Sequence, residues 1–79
     1  MKSTSVQIGD LIRRTRVRLG LTQENLALAA GTGLRFIIEL EKGKPTCQLQ
    51  KTLTVLNTLG IQIDFTPPFA EPLHRVTKA

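Results

Sequence analysis

Cysteine, histidine and aromatic residues are scarce in this sequence. One cysteine, Cys47, and one histidine, His74, stand among 79 residues. A lone cysteine cannot close an intrachain disulfide, and such usage fits a reducing cytosol. One His and one Cys cannot build a zinc site, so neither a metal nor another cofactor is expected. Tryptophan and tyrosine do not occur, and the aromatics are three phenylalanines. That argues against a platform on which RNA bases stack. No run approaches the roughly 18 apolar residues of a membrane span. The opening MKSTSVQIGD lacks the apolar segment of a secretory leader. A soluble, cytoplasmic protein with no membrane partner is expected.

What is present is positive charge. Eleven Lys and Arg face six Asp and Glu, a net charge of +5. That balance favours a polyanionic partner, although a merely soluble basic surface would look similar. A chain of this length makes one small domain whose core is marginal by itself. With no disulfide and no metal, a second subunit is the expected support.

Along the chain, helical spacing dominates. Thr4-Ser5-Val6-Gln7 has the form of a capping box, with Thr4 as N-cap. Ile8, Leu11, Ile12, Thr15 and Leu19 then recur at helical intervals, which predicts a first helix over about 5–19 ended by Gly20. Thr22 is a second N-cap candidate, with Glu24 suited to the positive helix end. Leu26, Ala27, Ala29 and Ala30 fill a short second helix that Gly31 stops. Thr32-Gly33 reopens a third helix, which ends at Gly43. Thr46 is the expected N-cap of a fourth, with Leu49, Leu53, Leu56 and Leu59 as its apolar stripe and Gly60 at its end. At 61–65 the period changes: Ile61, Ile63 and Phe65 alternate with Gln62 and Asp64, a half-buried strand pattern. Nothing else in the chain reads as a strand. A strand without a neighbour leaves backbone donors and acceptors unmet, and pairing with the same strand of a second copy about a two-fold axis solves that. An extended segment lying on its own helices is the other solution. Pro67, Pro68 and Pro72 break any further helix or central strand. The expected division is therefore a helical domain over 1–60, a dimerisation strand over 61–65, and an extended or disordered tail over 66–79.

Two short helices at a tight glycine turn, in a basic domain, suggest a helix-turn-helix. The segment LGLTQENLALAAGTGLRFIIELEKGKPT resembles the phage-repressor-like (Xre) family of helix-turn-helix DNA-binding proteins. Leu19-Gly20-Leu21-Thr22-Gln23, Leu26-Ala27, Gly31, Phe36-Ile37, Leu40-Glu41 and Gly43-Lys44 carry the likeness, which covers about residues 6–60. More narrowly, GKPTCQLQKTLTVLNTLGIQIDF resembles HipB-type antitoxins. The resemblance implies a mainly α fold of four to five helices plus one C-terminal strand pairing across a homodimer. It also implies a repressor that binds double-stranded DNA bearing an inverted repeat, autoregulates its operon, and acts as antitoxin to a HipA-like kinase toxin. A module of the same fold that binds mainly a protein partner is the alternative.

The resemblance assigns roles residue by residue. Thr32, Gly33, Leu34, Arg35 and Ile38 fall at groove-facing positions, where relatives often carry Gln, Ser or Lys. Leucine and isoleucine can touch a thymine methyl but cannot hydrogen-bond a base edge, so Arg35 is the main polar reader, at guanine or at phosphate. Leu34 and Ile38 either touch DNA or belong to the core or a protein surface. Thr22, Gln23, Lys42 and Lys44 are the phosphate-contact candidates, with Thr22 first a cap and the two lysines alternatively solvated. Phe36, Ile37 and Leu40 form the core stripe of the third helix. Ile61, Ile63 and Phe65 mark the dimer strand. Arg16 and Glu41 match a structural salt bridge tying the first helix to the end of the third. Glu39 either orients Arg35 or repels phosphate. The acidic residues are scattered and no base stands near Cys47, which reads as a small buried hydrophobe. No catalytic site is expected.

Overall fold

The computed structural model describes residues 3–45, 48–69 and 74–76. Among these the order is α1 (Thr4–Arg18), α2 (Gln23–Ala30), α3 (Leu34–Glu41), α4 (Leu49–Thr58), β1 (Ile63–Phe65) and β2 (His74–Val76). The architecture is mainly helical. No described helix is long and apolar enough to cross a membrane.

Each helix boundary has a local cause. Ser3, in extended backbone, accepts a hydrogen bond from the Val6 N–H at 3.3 Å and caps α1. Thr4, the expected cap, is already the first helical residue. Either hydroxyl suits a cap, and the one whose backbone stays extended takes the role. At α2 the Thr22 hydroxyl accepts from the Asn25 N–H at 2.9 Å, and the Asn25 side-chain oxygen accepts from the Thr22 N–H at 3.2 Å. This reciprocal pair satisfies two donors of the first turn. Gly31 closes α2 in the left-handed region, φ 71°. The Thr32 N–H then reaches back to the Ala27 carbonyl at 2.9 Å, which lets the chain turn sharply toward α3. Thr32 and Gly33 lie ahead of α3, with Gly33 as its N-cap, so they belong to the turn. Thr46, the expected cap of α4, and Cys47 lie outside the described residues. The cap observed for α4 is Gln48.

The core takes one fully buried side chain from each helix: Ile12, Leu26, Ile37 and Val55. Ala27, Ala30, Leu40, Leu56 and Leu59 complete it, and Ile8, Leu21, Phe36, Ile61 and Ile63 pack against it. Burying each large aliphatic contributes roughly 1.5–3 kcal/mol. Two expected stripes are corrected. In α1 the buried line holds Gly9 and Ile12, while Leu11 and Leu19 are exposed. In α4 it runs through Thr52, Val55 and Leu56, while Leu49 at the first helical position is exposed. Helix α1 packs on α3 and α4 packs on α2, so the helix each one meets decides which residues are buried, not leucine spacing.

Glycine sets the approach of α1 to the end of α3. A Cβ at Gly9 would overlap the Leu40 carbonyl oxygen and meet that of Glu41 at 2.9 Å. Gly43, at φ 80°, would place a Cβ 2.6 Å from the Val6 Cα. Helix α1 thus rests directly on the backbone that terminates α3.

The strand region also differs from expectation. Strand β1 has a partner within the chain: β2 pairs with it antiparallel, Ile63 opposite Val76, Asp64 opposite Arg75 and Phe65 opposite His74. The expectation that no second strand exists is overturned. Three residues are too few to show a period, so spacing carries no sign of this strand. Residues 70–73 and 77–79 of the tail lie outside the described residues.

Candidate nucleic-acid interface

Helices α2 and α3 pack on each other across the turn 31–33. The sequence of α3 divides that helix by face. Ile37 and Leu40 are buried and Phe36 half-buried, which leaves the opposite side of the helix to solvent. On that side stand Leu34, which is 38% exposed, and Arg35, whose side chain is 90% exposed. Ile38 is half-buried. Thr32 is half-buried and Gly33 exposed, both at the N-terminal edge of α3. These five residues, named for base contact, therefore share the turn and the first turns of one helix. Lys51 of α4 lies over the half-buried Phe36 ring, its Nζ 5.6 Å from the centroid.

A buried ionic fork fixes the position of α3. Arg16 Nε donates to Glu41 Oε2 at 2.6 Å, and Arg16 Nη2 donates to Glu41 Oε1 at 3.1 Å. The remaining guanidinium nitrogen, Nη1, donates to the Leu21 carbonyl at 2.8 Å. The two side chains are 13% and 3% exposed. Bidentate geometry of this kind is rigid and directional. It joins α1, the segment leading into α2, and the end of α3 at one point. Among the described residues no buried side-chain polar atom lacks a partner.

Sequence reasoning missed a third member of this fork. Gln23 Nε2 donates to Glu41 Oε1 at 3.1 Å. The Gln23 side chain is thus held, while its backbone lies in the first turn of α2. The Thr22 hydroxyl is likewise taken by the cap. Gly9 was missed as well, since a glycine inside a helical pattern carries no signal of what approaches it.

The cations beyond α3 differ from each other. Lys42, the C-cap of α3, is exposed. Lys44 Nζ donates to Glu39 Oε2 at 3.2 Å, and Arg35 Nε lies 3.6 Å from that oxygen. The Lys44 hydrogen bond and charge, with Arg35 adding less, hold the Glu39 carboxyl below the usual glutamate range. Among the described residues no group of three His, Cys, Asp or Glu could hold a metal ion. The surface carries the exposed Arg35 guanidinium, the side chains of Leu34 and Ile38, and the flanking lysines Lys42 and Lys44.

No protein-family model matches the chain. It is 52% identical over 65 residues to the uncharacterized HTH-type transcriptional regulator y4mF of Sinorhizobium fredii (strain NBRC 101917 / NGR234), covering 82% of this chain and 86% of that protein. The fold superposes on the restriction-modification controller protein C.AhdI from Aeromonas hydrophila with a TM-score of 0.64 at 30% identity, over 71% of this chain and 85% of that one. It superposes on the clp gene regulator ClgR from C. glutamicum with a TM-score of 0.68 at 25% identity, over 76% and 77% of the two chains. With more than half of the matched residues shared with a regulator of nearly its own length, and with α2 and α3 set at a glycine turn, the chain belongs to the helix-turn-helix family of transcriptional regulators.

Proposed function

We propose that the chain is a dimeric, sequence-specific DNA-binding repressor that lays α3 in the major groove of an inverted repeat. The observation that carries this reading is the division of α3: a buried face fixed by the Arg16–Glu41 fork and an outward face headed by Arg35. A recognition helix needs that combination, because base contacts require a helix whose position does not drift. Thr32, Gly33, Leu34, Arg35 and Ile38 face the bases. Arg35 takes guanine, and Leu34 and Ile38 take thymine methyls. Gln23 offers its backbone N–H, with Thr22, at the start of α2 to a phosphate. Lys42 and Lys44 reach the backbone on the other side.

Arg35→Ala tests it. Binding to the site selected by the wild type from a random duplex library should fall by roughly 1–3 kcal/mol, while binding to scrambled duplex falls less. Equal losses would make Arg35 a phosphate contact. Affinity should also weaken steeply with salt, as counterion release requires; a flat response would remove the basic-surface argument.

The finer reading is an antitoxin that binds a HipA-like kinase and represses the operon encoding both. The resemblance of residues 43–65 to HipB-type antitoxins supports it, with Ile61, Ile63 and Phe65 in a strand that pairs across the two-fold axis. Among the described residues β1 has β2 on one side, and its other side is available as an edge. Copurification with a kinase encoded beside the gene tests the antitoxin role; a neighbouring frame of another kind leaves the repressor. The exposed Leu34 beside half-buried Ile38 favours a second reading, in which α3 meets a protein. Competitor-resistant binding to an inverted repeat separates the two.

A further inference from the structure

Glu39 stands on α3 one helical turn beyond Arg35. A carboxylate there lowers affinity for any phosphate chain, so the position calls for a compensating role. Its two cationic neighbours converge on one atom. Lys44 Nζ donates to Glu39 Oε2 at 3.2 Å, whereas Arg35 Nε lies 3.6 Å from the same oxygen. The first contact is a hydrogen bond, and the second is an ion pair beyond hydrogen-bond reach. Lys44 is therefore the nearer partner in the free protein, and it is the main cause that holds the Glu39 carboxyl below its usual range, with Arg35 adding less. Arg35, with its side chain 90% exposed, is left loosely held. A guanidinium recognises a base edge through a planar fork, so it reads better when its orientation is set in advance.

We propose that Glu39 is a positioning residue that couples phosphate contact by Lys44 to base reading by Arg35. The inference rests on the operator-binding reading above. A backbone phosphate that takes Lys44 removes the nearer partner from Oε2. The oxygen then accepts from Arg35 Nε, which fixes the plane of the guanidinium and leaves its terminal nitrogens for the base. On DNA that offers Arg35 no guanine, the same carboxylate opposes the phosphates with less in return. One side chain thus favours the operator and disfavours other sequences. The three groups lie on the surface, where exchanging ion-pair partners costs the fold little.

The test uses Glu39→Gln, Lys44→Ala and the double variant of the full chain. The probes are the duplex that the wild type selects from a random library and a scrambled duplex of equal length. Thermal melting of each variant checks that the fold is kept. Glu39→Gln is expected to tighten binding to scrambled duplex without tightening the selected one. Its operator-to-scrambled ratio should fall roughly fivefold or more, the lower end of what one bidentate contact discriminates. Lys44→Ala weakens both duplexes through the lost phosphate contact, but it leaves Oε2 to Arg35 from the start, so it should raise that ratio in the wild-type background and leave it unchanged beside Glu39→Gln. Parallel shifts on both duplexes, or a Lys44 effect indifferent to residue 39, would overturn the coupling. A loss confined to one cytosine-containing pair would make Glu39 a direct reader of the N4 amine and overturn it too. Failure of the wild type to select any site sinks the operator reading and this inference together. Selection with an unchanged ratio sinks this inference alone.

Discussion

At the scale of single residues, the Arg16–Glu41 fork concentrates the most interaction in the least space. Three short donations from one guanidinium satisfy a carboxylate and a backbone carbonyl that solvent hardly reaches. Removing one partner leaves the other charge buried without its counterpart, which costs roughly 3–5 kcal/mol. Glu41→Ala and Arg16→Ala should each lower the unfolding free energy by that amount, read from the shift of the urea midpoint at constant m-value. Replacing both by apolar residues of similar size should cost much less, because no orphaned charge remains. The Gln23 donation to Glu41 makes a further distinction possible. If the Glu41 variant weakens DNA binding beyond its stability loss, the fork also holds the start of α2 at the phosphate.

At the scale of elements, caps do for these helices what length cannot. Helices α2 and α3 have eight residues each, too short to persist by themselves in water. The Thr22–Asn25 exchange should therefore matter to folding before it matters to binding. Thr22→Ala is expected to lower stability by about 1 kcal/mol, and Thr22→Ser by much less, because serine caps as well. A loss of DNA affinity in Thr22→Ala with no change in melting would instead assign Thr22 to a phosphate. The same elements show what a sequence can and cannot disclose. The order of helices, the Gly31 turn, the Thr22 cap and the buried Ile37–Leu40 face follow from spacing and from turn chemistry that acts within four residues. The cap of α1 was displaced by one because Ser3 and Thr4 have the same chemistry and backbone geometry decides between them. Leu11, Leu19 and Leu49 fall on the leucine spacing of α1 and α4 yet are exposed, since spacing says which residues can be buried and neighbours decide which are. Strand β2 had no local signal: its three residues acquire their conformation from pairing with β1.

At the scale of the whole molecule, charge and size point outward. The core has nine buried hydrophobic residues among those described, small for a domain that must hold α3 rigid. A two-fold partner would add buried surface where β1 keeps an edge and where Phe65 is 57% exposed. Such support has a signature that contacts within one chain lack. A dimer unfolds to two chains, so mass action makes its melting temperature rise with protein concentration. The wild type should melt higher at high micromolar than at submicromolar concentration, and sedimentation should give twice the monomer mass over the upper part of that range. Ile63→Asp, which places a charge where β1 meets the core, would confuse folding with association; Phe65→Lys, on an exposed position at the strand end, does not. Phe65→Lys should lower the association constant and remove the concentration dependence while leaving the monomer's helical signal intact. A wild-type melting temperature independent of concentration, with a monomer mass throughout, would mean that pairing with β2 completes the fold and that any inverted repeat is bound by two chains meeting first on DNA.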